Sequence, residues 1–189
     1  MSDEEIAKLS VEDPKELNIK ELLFAATLTE DKDKSITIYN KVVELHGDWR
    51  GYNNIACIYL AEGKIAKATD YLKKAEKLGG ANSDILINKG IIAARQGDLK
   101  TAQELFVKGG ASEKNQAILD IRKADYAKAA RFFKNLKSHN AALAKLMNGS
   151  KNIKCDEKTA ACYYLNAIVS TRSGNDDDAI LSLTKAINA

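Results

Sequence analysis

The chain has 189 residues, of which 45% are apolar and 29% charged, with a single proline, 6% aromatics and a formal net charge of +3. Such a composition suits a globular, nearly all-helical chain and excludes disordered, collagen-like and disulfide-stapled classes. No apolar run approaches the roughly 18 residues of a membrane-spanning helix, and residues 1–10 are acidic, without the basic and apolar regions of a signal peptide. The chain therefore reads as soluble and cytoplasmic, or as an excised piece of a longer exported protein.

Taken in order, residues 1–13 carry Ile6, Leu9 and Val11 at loose spacing and predict an arm or a short lead-in helix. Pro14 stands in the first turn of the next helix, which Leu17, Ile19, Leu22, Leu23 and Ala26 carry to about Leu28. After a charged turn, Ile36, Tyr39, Val42, Val43 and Leu45 mark a second helix that stops near His46 and Gly47. Asp48 is the expected N-cap of a third helix through Tyr52, Ile55, Ala56 and Tyr59, which turns at Gly63 into a fourth through Ala68, Leu72 and Ala75, stopping at Gly79 and Gly80. Ala56 and Ala68 are small because two helix axes must approach to about 8–10 Å there. Gly97, Ala102, Phe106 and Gly109 then repeat Gly63, Ala68, Leu72 and Ala75 at an offset of 34 residues, a period that means a helical repeat. Beyond Gly109 the turn positions contract to Ala124, Gly149 and Gly174, steps of 27, 25 and 25 residues. Each repeat there has lost about seven residues, or two helical turns. Short helices are expected over 113–123 and 139–148, with a second helix from Asp125 carrying Phe132, Phe133 and Leu136, and with room for only a turn of helix over 150–158.

Tyr52-x-x-Ile55-Ala56-x-x-Tyr59 followed by Ala68-x-x-x-Leu72 resembles the tetratricopeptide repeat (TPR) family. The residues Leu86, Gly90, Ala93, Gly97, Ala102 and Phe106 repeat the resemblance, and Tyr163, Ala167, Ser170, Gly174, Ala179, Leu183 and Ala186 give a third match. Lys89 and Asn166 stand where the family has Leu, and its proline after the second helix is absent. The expected fold is all-α, a right-handed superhelical solenoid of about five to six TPR-like helix pairs with shortened helices between residues 110 and 160. Residues 14–189 are expected to form one solenoid domain. The block from Asn140 to Ala167 also resembles shortened TPR segments of Gram-negative cell-envelope proteins that carry an OmpA-like domain. That resemblance implies a periplasmic or outer-membrane-associated location, with cytoplasm the alternative.

No convergent catalytic constellation is legible. His46 and His139 stand at helix ends far apart in sequence, and no H-E-x-x-H motif or P-loop occurs. Cys57, Cys155 and Cys162 are odd in number without a C-x-x-C pair, so they read as buried or incidental thiols, and neither a disulfide nor a metal site is expected. The chain is read as no enzyme, with no cofactor and no metal.

By family resemblance, ligands bind where the first helices of the pairs line the concave side. Helical spacing places Lys20 and Phe24 there from the first pair, Arg50, Asn53, Asn54 and Cys57 from the second, and Asp84, Ile87, Ile91 and Arg95 from the third. Tyr164, Ile168 and Arg172 would line its far end. Asparagine amides can bond an extended peptide backbone, so the expected function is a protein-interaction scaffold that holds a protein or peptide segment in this groove. The carboxylate clamp of chaperone-binding TPR domains is excluded, since Asp84 stands where a cation should and would repel a carboxylate. Two alternatives stand beside it. One is a structural spacer in a larger cell-envelope protein. The other is an anionic or nucleic-acid ligand on the basic segment 108–154, whose net charge is +8 against −6 for residues 1–48. Lysines scattered on exposed helix faces are usually solubilising, so nucleic acid is not the expected partner.

Overall fold

A computed structural model describes residues 1–132, 139–150, 153 and 155–187. Twelve α-helices and no strand occur among the described residues. Contacts divide the chain into two compact units, residues 1–111 and 112–189.

The first unit holds α1 (Asp3–Glu12), α2 (Ile19–Ala25), α3 (Lys32–His46), α4 (Trp49–Ala61), α5 (Ile65–Gly79), α6 (Ser83–Arg95) and α7 (Leu99–Gly109), each packed on the next. Residues 1–13 thus hold a capped helix: the Ser2 hydroxyl accepts from the Glu5 amide, and the Glu5 carboxylate accepts from the Ser2 amide at 2.8 Å. Ile6 anchors this helix in a cluster with Leu17, Leu22, Ile38, Val42 and Ile55.

The expected helix over residues 14–28 is corrected by the structure. Pro14 opens only a 3-10 turn, Pro14–Glu16, and Leu17 is extended, with its side chain buried in the core. The helix begins at Ile19 because Asn18 caps it, accepting from the Lys20 and Glu21 amides while Glu21 accepts from the Asn18 amide at 2.9 Å. His46 ties the turn to α3, its Nε2 donating to the Leu17 carbonyl at 3.2 Å.

The caps expected further on are present. Gly47 ends α3 in the left-handed conformation, and the Asp48 carboxylate accepts from the Arg50 amide at 2.9 Å to start α4. Gly63 turns α4 into α5 at φ +73°, a conformation that glycine adopts without the Cβ clash other residues suffer. Ala56 and Ala68 are fully buried with Leu60, Leu72 and, from α6, Ile92.

The second unit holds α8 (Glu113–Arg122), α9 (Tyr126–Phe132), α10 (His139–Met147), α11 (Ala160–Arg172) and α12 (Asp176–Ile187). α8 is 10 residues long against 13 for α4 and α6, in line with the contraction read from the turn spacing. Phe133 and Leu136 lie outside the described residues. Ala124 occupies the turn position at φ +60°, the sole non-glycine there with positive φ among the described residues. Ala117, Ala129, Ala141 and Ala144 form the packed contact of α8, α9 and α10.

The cysteines require a second correction. Cys155 and Cys162 are joined as a disulfide with Cα atoms 5.4 Å apart, whereas Cys57 is free and exposed. Thr159 caps α11 and directs Cys162, in its first turn, inward. The Asn166 side chain, one turn on, bonds both backbone groups of Cys155: its Oδ1 accepts from the amide at 3.0 Å and its Nδ2 donates to the carbonyl at 2.8 Å. This is the asparagine that departs from the repeat pattern, and the departure fastens residue 155 to α11.

Candidate functional site

Asn53, Asn54 and Cys57 of α4 join Asn88 of α6 in one polar cluster. The Asn88 amide donates to Asn53 Oδ1 at 2.9 Å and to Cys57 Sγ at 3.3 Å. Asn53 in turn points its amide at Asn54 Oδ1, at 3.5 Å. Asn53 is buried, so this relay satisfies polar atoms that would otherwise cost about 1–3 kcal/mol each. Among the described residues no donor reaches Asn88 Oδ1, which leaves it able to accept from a ligand.

Burial raises the Cys57 thiol above its ordinary pKa, the Asp84 carboxylate raises it further, and the Asn88 hydrogen bond partly offsets both. The residue is nevertheless exposed. Tyr39 is likewise raised, chiefly by burial. The cluster therefore offers neutral hydrogen-bonding groups beside one carboxylate, Asp84, whose sign disfavours anions.

The other expected site residues lie elsewhere or are engaged. Arg50 forms a forked pair with Asp48, Nε to Oδ1 at 2.8 Å and Nη2 to Oδ2 at 2.9 Å, which lowers the Asp48 pKa. Arg95 donates to the Leu60 carbonyl across the α4–α6 contact. Ile91 packs beside the core of α4, α5 and α6, and Ile87 lies against Gly109 of α7. Lys20 and Phe24 are exposed on α2 and make no polar or ring contact with the amide cluster.

Asn88 is the member the groove reading omitted, although a signal was present. It stands 34 residues after Asn54, the same place in the next repeat. A cavity of about 340 Å³ opens between α5, α6 and α7, where Lys89 pairs with Glu76 at 2.9 Å. Among the described residues no helix is long and apolar enough to cross a membrane.

Residues 50–78 match the family model described as tetratricopeptide repeat. No curated protein matches the chain. Among solved structures, a tetratricopeptide repeat protein from Parabacteroides merdae superposes with a TM-score of 0.66 at 19% identity, over 98% of this chain and 84% of that one. The Cut9–Hcn1 hetero-tetramer of APC/C gives the same TM-score at 17% identity, over 97% of this chain and 38% of that one. PilF of Pseudomonas aeruginosa gives 0.56 at 13% identity, over 95% and 90%. Residues 50–78 thus carry the tetratricopeptide signature within an all-α chain that has the fold of tetratricopeptide solenoid structures, a class that generally mediates protein–protein interactions.

Proposed function

We propose that the chain is a non-catalytic scaffold that holds an extended protein or peptide segment along α4 and α6. The observation that carries this reading is the amide cluster: Asn54 and Asn88, equivalent positions of consecutive repeats, are linked through Asn53 beside the exposed Cys57. A backbone running across it meets an acceptor in Asn88 and an amide in Asn54, with Ile91 as an apolar neighbour. Asp84 selects for a neutral or basic segment. A structural neighbour described as a TPR protein with an unusual peptide-binding site (TM-score 0.50, 17% identity, over 99% of this chain and 93% of that one) supports peptide binding as a use of the fold.

The test is selection of peptides from a displayed random library on the full chain, followed by titration against the Asn54→Ala/Asn88→Ala double variant. Selected peptides should lose at least tenfold in affinity and should protect Cys57 from alkylation. Peptides that bind the variant equally well, and leave Cys57 reactive, would remove the site from α4 and α6. Arg50 is a poor probe, because its substitution disturbs the cap of α4 instead.

A second reading, a spacer within a larger cell-envelope protein, is favoured by the Cys155–Cys162 disulfide, since such bonds persist mainly in oxidising compartments. Trapping thiols with an alkylating agent during cell lysis tests it: full modification of both cysteines in the native host argues for a reducing compartment.

A further inference from the structure

Three side chains able to ligate a metal ion converge at the start of α11. The sulfurs of Cys155 and Cys162 and a carboxylate oxygen of Glu157 all lie within 4.8 Å of one another. With a separation of 7 positions, the cysteines are spaced more widely than in common zinc motifs, so the fold supplies what the spacing does not. Asn166 holds the Cys155 backbone through its amide, at 3.0 Å, and its carbonyl, at 2.8 Å. The Thr159 hydroxyl accepts from the Cys162 amide at 3.3 Å. None of these bonds involves sulfur, so reduction of the disulfide does not remove them. Ile153 and Leu165 pack against the cluster that Ala142 forms with the two buried cysteines, whereas Glu157 is exposed. An ion there would have two sulfurs on its protein side and a carboxylate on its solvent side.

The donor set selects the ion. Reduced cysteines bind as thiolates, soft ligands that favour zinc over magnesium or calcium, which take oxygen. Thiolates on a tetrahedral zinc ion stand roughly 3.8 Å apart, the edge of a tetrahedron with bonds of about 2.3 Å. That edge fits inside the 4.8 Å span. Two thiolates and a carboxylate leave the fourth position to water. The set carries one negative charge more than the ion neutralises, and Cys162 lies in the first turn of α11, the positive end of the helix, where that excess is favoured.

We propose that the dithiol form of the chain holds one zinc ion on Cys155, Cys162 and Glu157. The disulfide form does not, because it carries no thiolate. A phosphine reductant converts the disulfide to two thiols, taking oxygen from water to become a phosphine oxide, and zinc then displaces the two thiol protons. The site rests on no part of the groove reading.

The probe is cobalt(II), added under argon to the full Cys57→Ala chain in phosphine, so that only the pair supplies sulfur. Expected are an ultraviolet sulfur-to-cobalt charge-transfer band and the intense visible bands of tetrahedral coordination, saturating at one ion per chain and bleached by one equivalent of zinc. Cys155→Ser and Cys162→Ser should each remove these bands. Glu157→Gln should weaken zinc, measured against a chromophoric chelator, by roughly tenfold or more, since even outer partners of metal ligands cost that much. Glu157 is exposed, so its substitution leaves folding intact, and the helical circular-dichroism signal checks this for every variant. No charge-transfer band in the reduced chain, or a band at full strength in either serine variant, overturns the proposal. So does zinc affinity unchanged in Glu157→Gln, or equal binding by the oxidised chain.

Discussion

The helices α4–α7 and α8–α10 solve the same packing problem with different means. In the first set, helices of 11 to 15 residues close over Ile55, Leu72, Ile85 and Phe106, with glycines at the turns. In the second, α8 has 10 residues, four alanines of α8, α9 and α10 pack together, and the turn is made by Ala124. The difference teaches which parts of a helical repeat are dispensable. A first helix can be shortened, as α8 is against α4 and α6, while the small residues at the crossing and the left-handed turn between the helices are kept. What is lost is buried apolar area, at about 25 cal/mol per Å². The α8–α10 region should therefore open first.

Substitution can break this comparison. The largest effect is expected at Leu72, whose truncation to Ala should cost about 3 kcal/mol in urea unfolding, since the buried site cannot collapse around the void. Ala129→Leu is the complementary case, costing about 2 kcal/mol by overpacking a contact that admits only a methyl group. If Ala129→Leu is silent, the alanine contact is looser than described. Cys162→Ser should remove about 2 kcal/mol by freeing a short loop in the unfolded chain. Hydrogen exchange should show that loss within residues 112–187 and not in 1–111. Ala124→Gly should raise stability by roughly 0.5–1 kcal/mol by relieving the left-handed strain, and Gly63→Ala should lower it by about 1 kcal/mol. The smallest effect concerns Asp48. Its pKa is depressed in the folded state, chiefly by Arg50, so its contribution is present above the pKa of the unfolded chain and disappears as pH falls through the folded value. The wild type should exceed Asp48→Asn in thermal midpoint at neutral pH, and the two should converge in acid.

Much of the architecture was legible because the determinants are local and periodic. Gly63, Gly97 and Gly174 announced the turns, and the shortened spacing to Ala124 identified a turn residue with no glycine to mark it. The start of α2 was misread because Pro14 and Asn18 are competing helix openers four residues apart, and only the burial of Leu17 decides for Asn18. In the candidate site, the asparagines were visible as residues, while their linkage through Asn88 and the diversion of Arg50 to Asp48 depend on which rotamers the packed helices permit. The disulfide was illegible for a similar reason. Its cysteines stand seven positions apart in no recurrent pattern, and their meeting depends on a loop turned back onto α11.

That loop bears on how the chain acquires its covalent structure. Three cysteines allow three pairings, and chance would favour none strongly. The Asn166 side chain holds the backbone of Cys155 at the start of α11 by hydrogen bonds that need no sulfur chemistry. These bonds raise the effective concentration of Cys155 at Cys162. Asn166→Ala should therefore act as an error-rate mutation. The native bond can still form, but adducts through Cys57, including disulfide-linked dimers, become competitive during oxidative refolding.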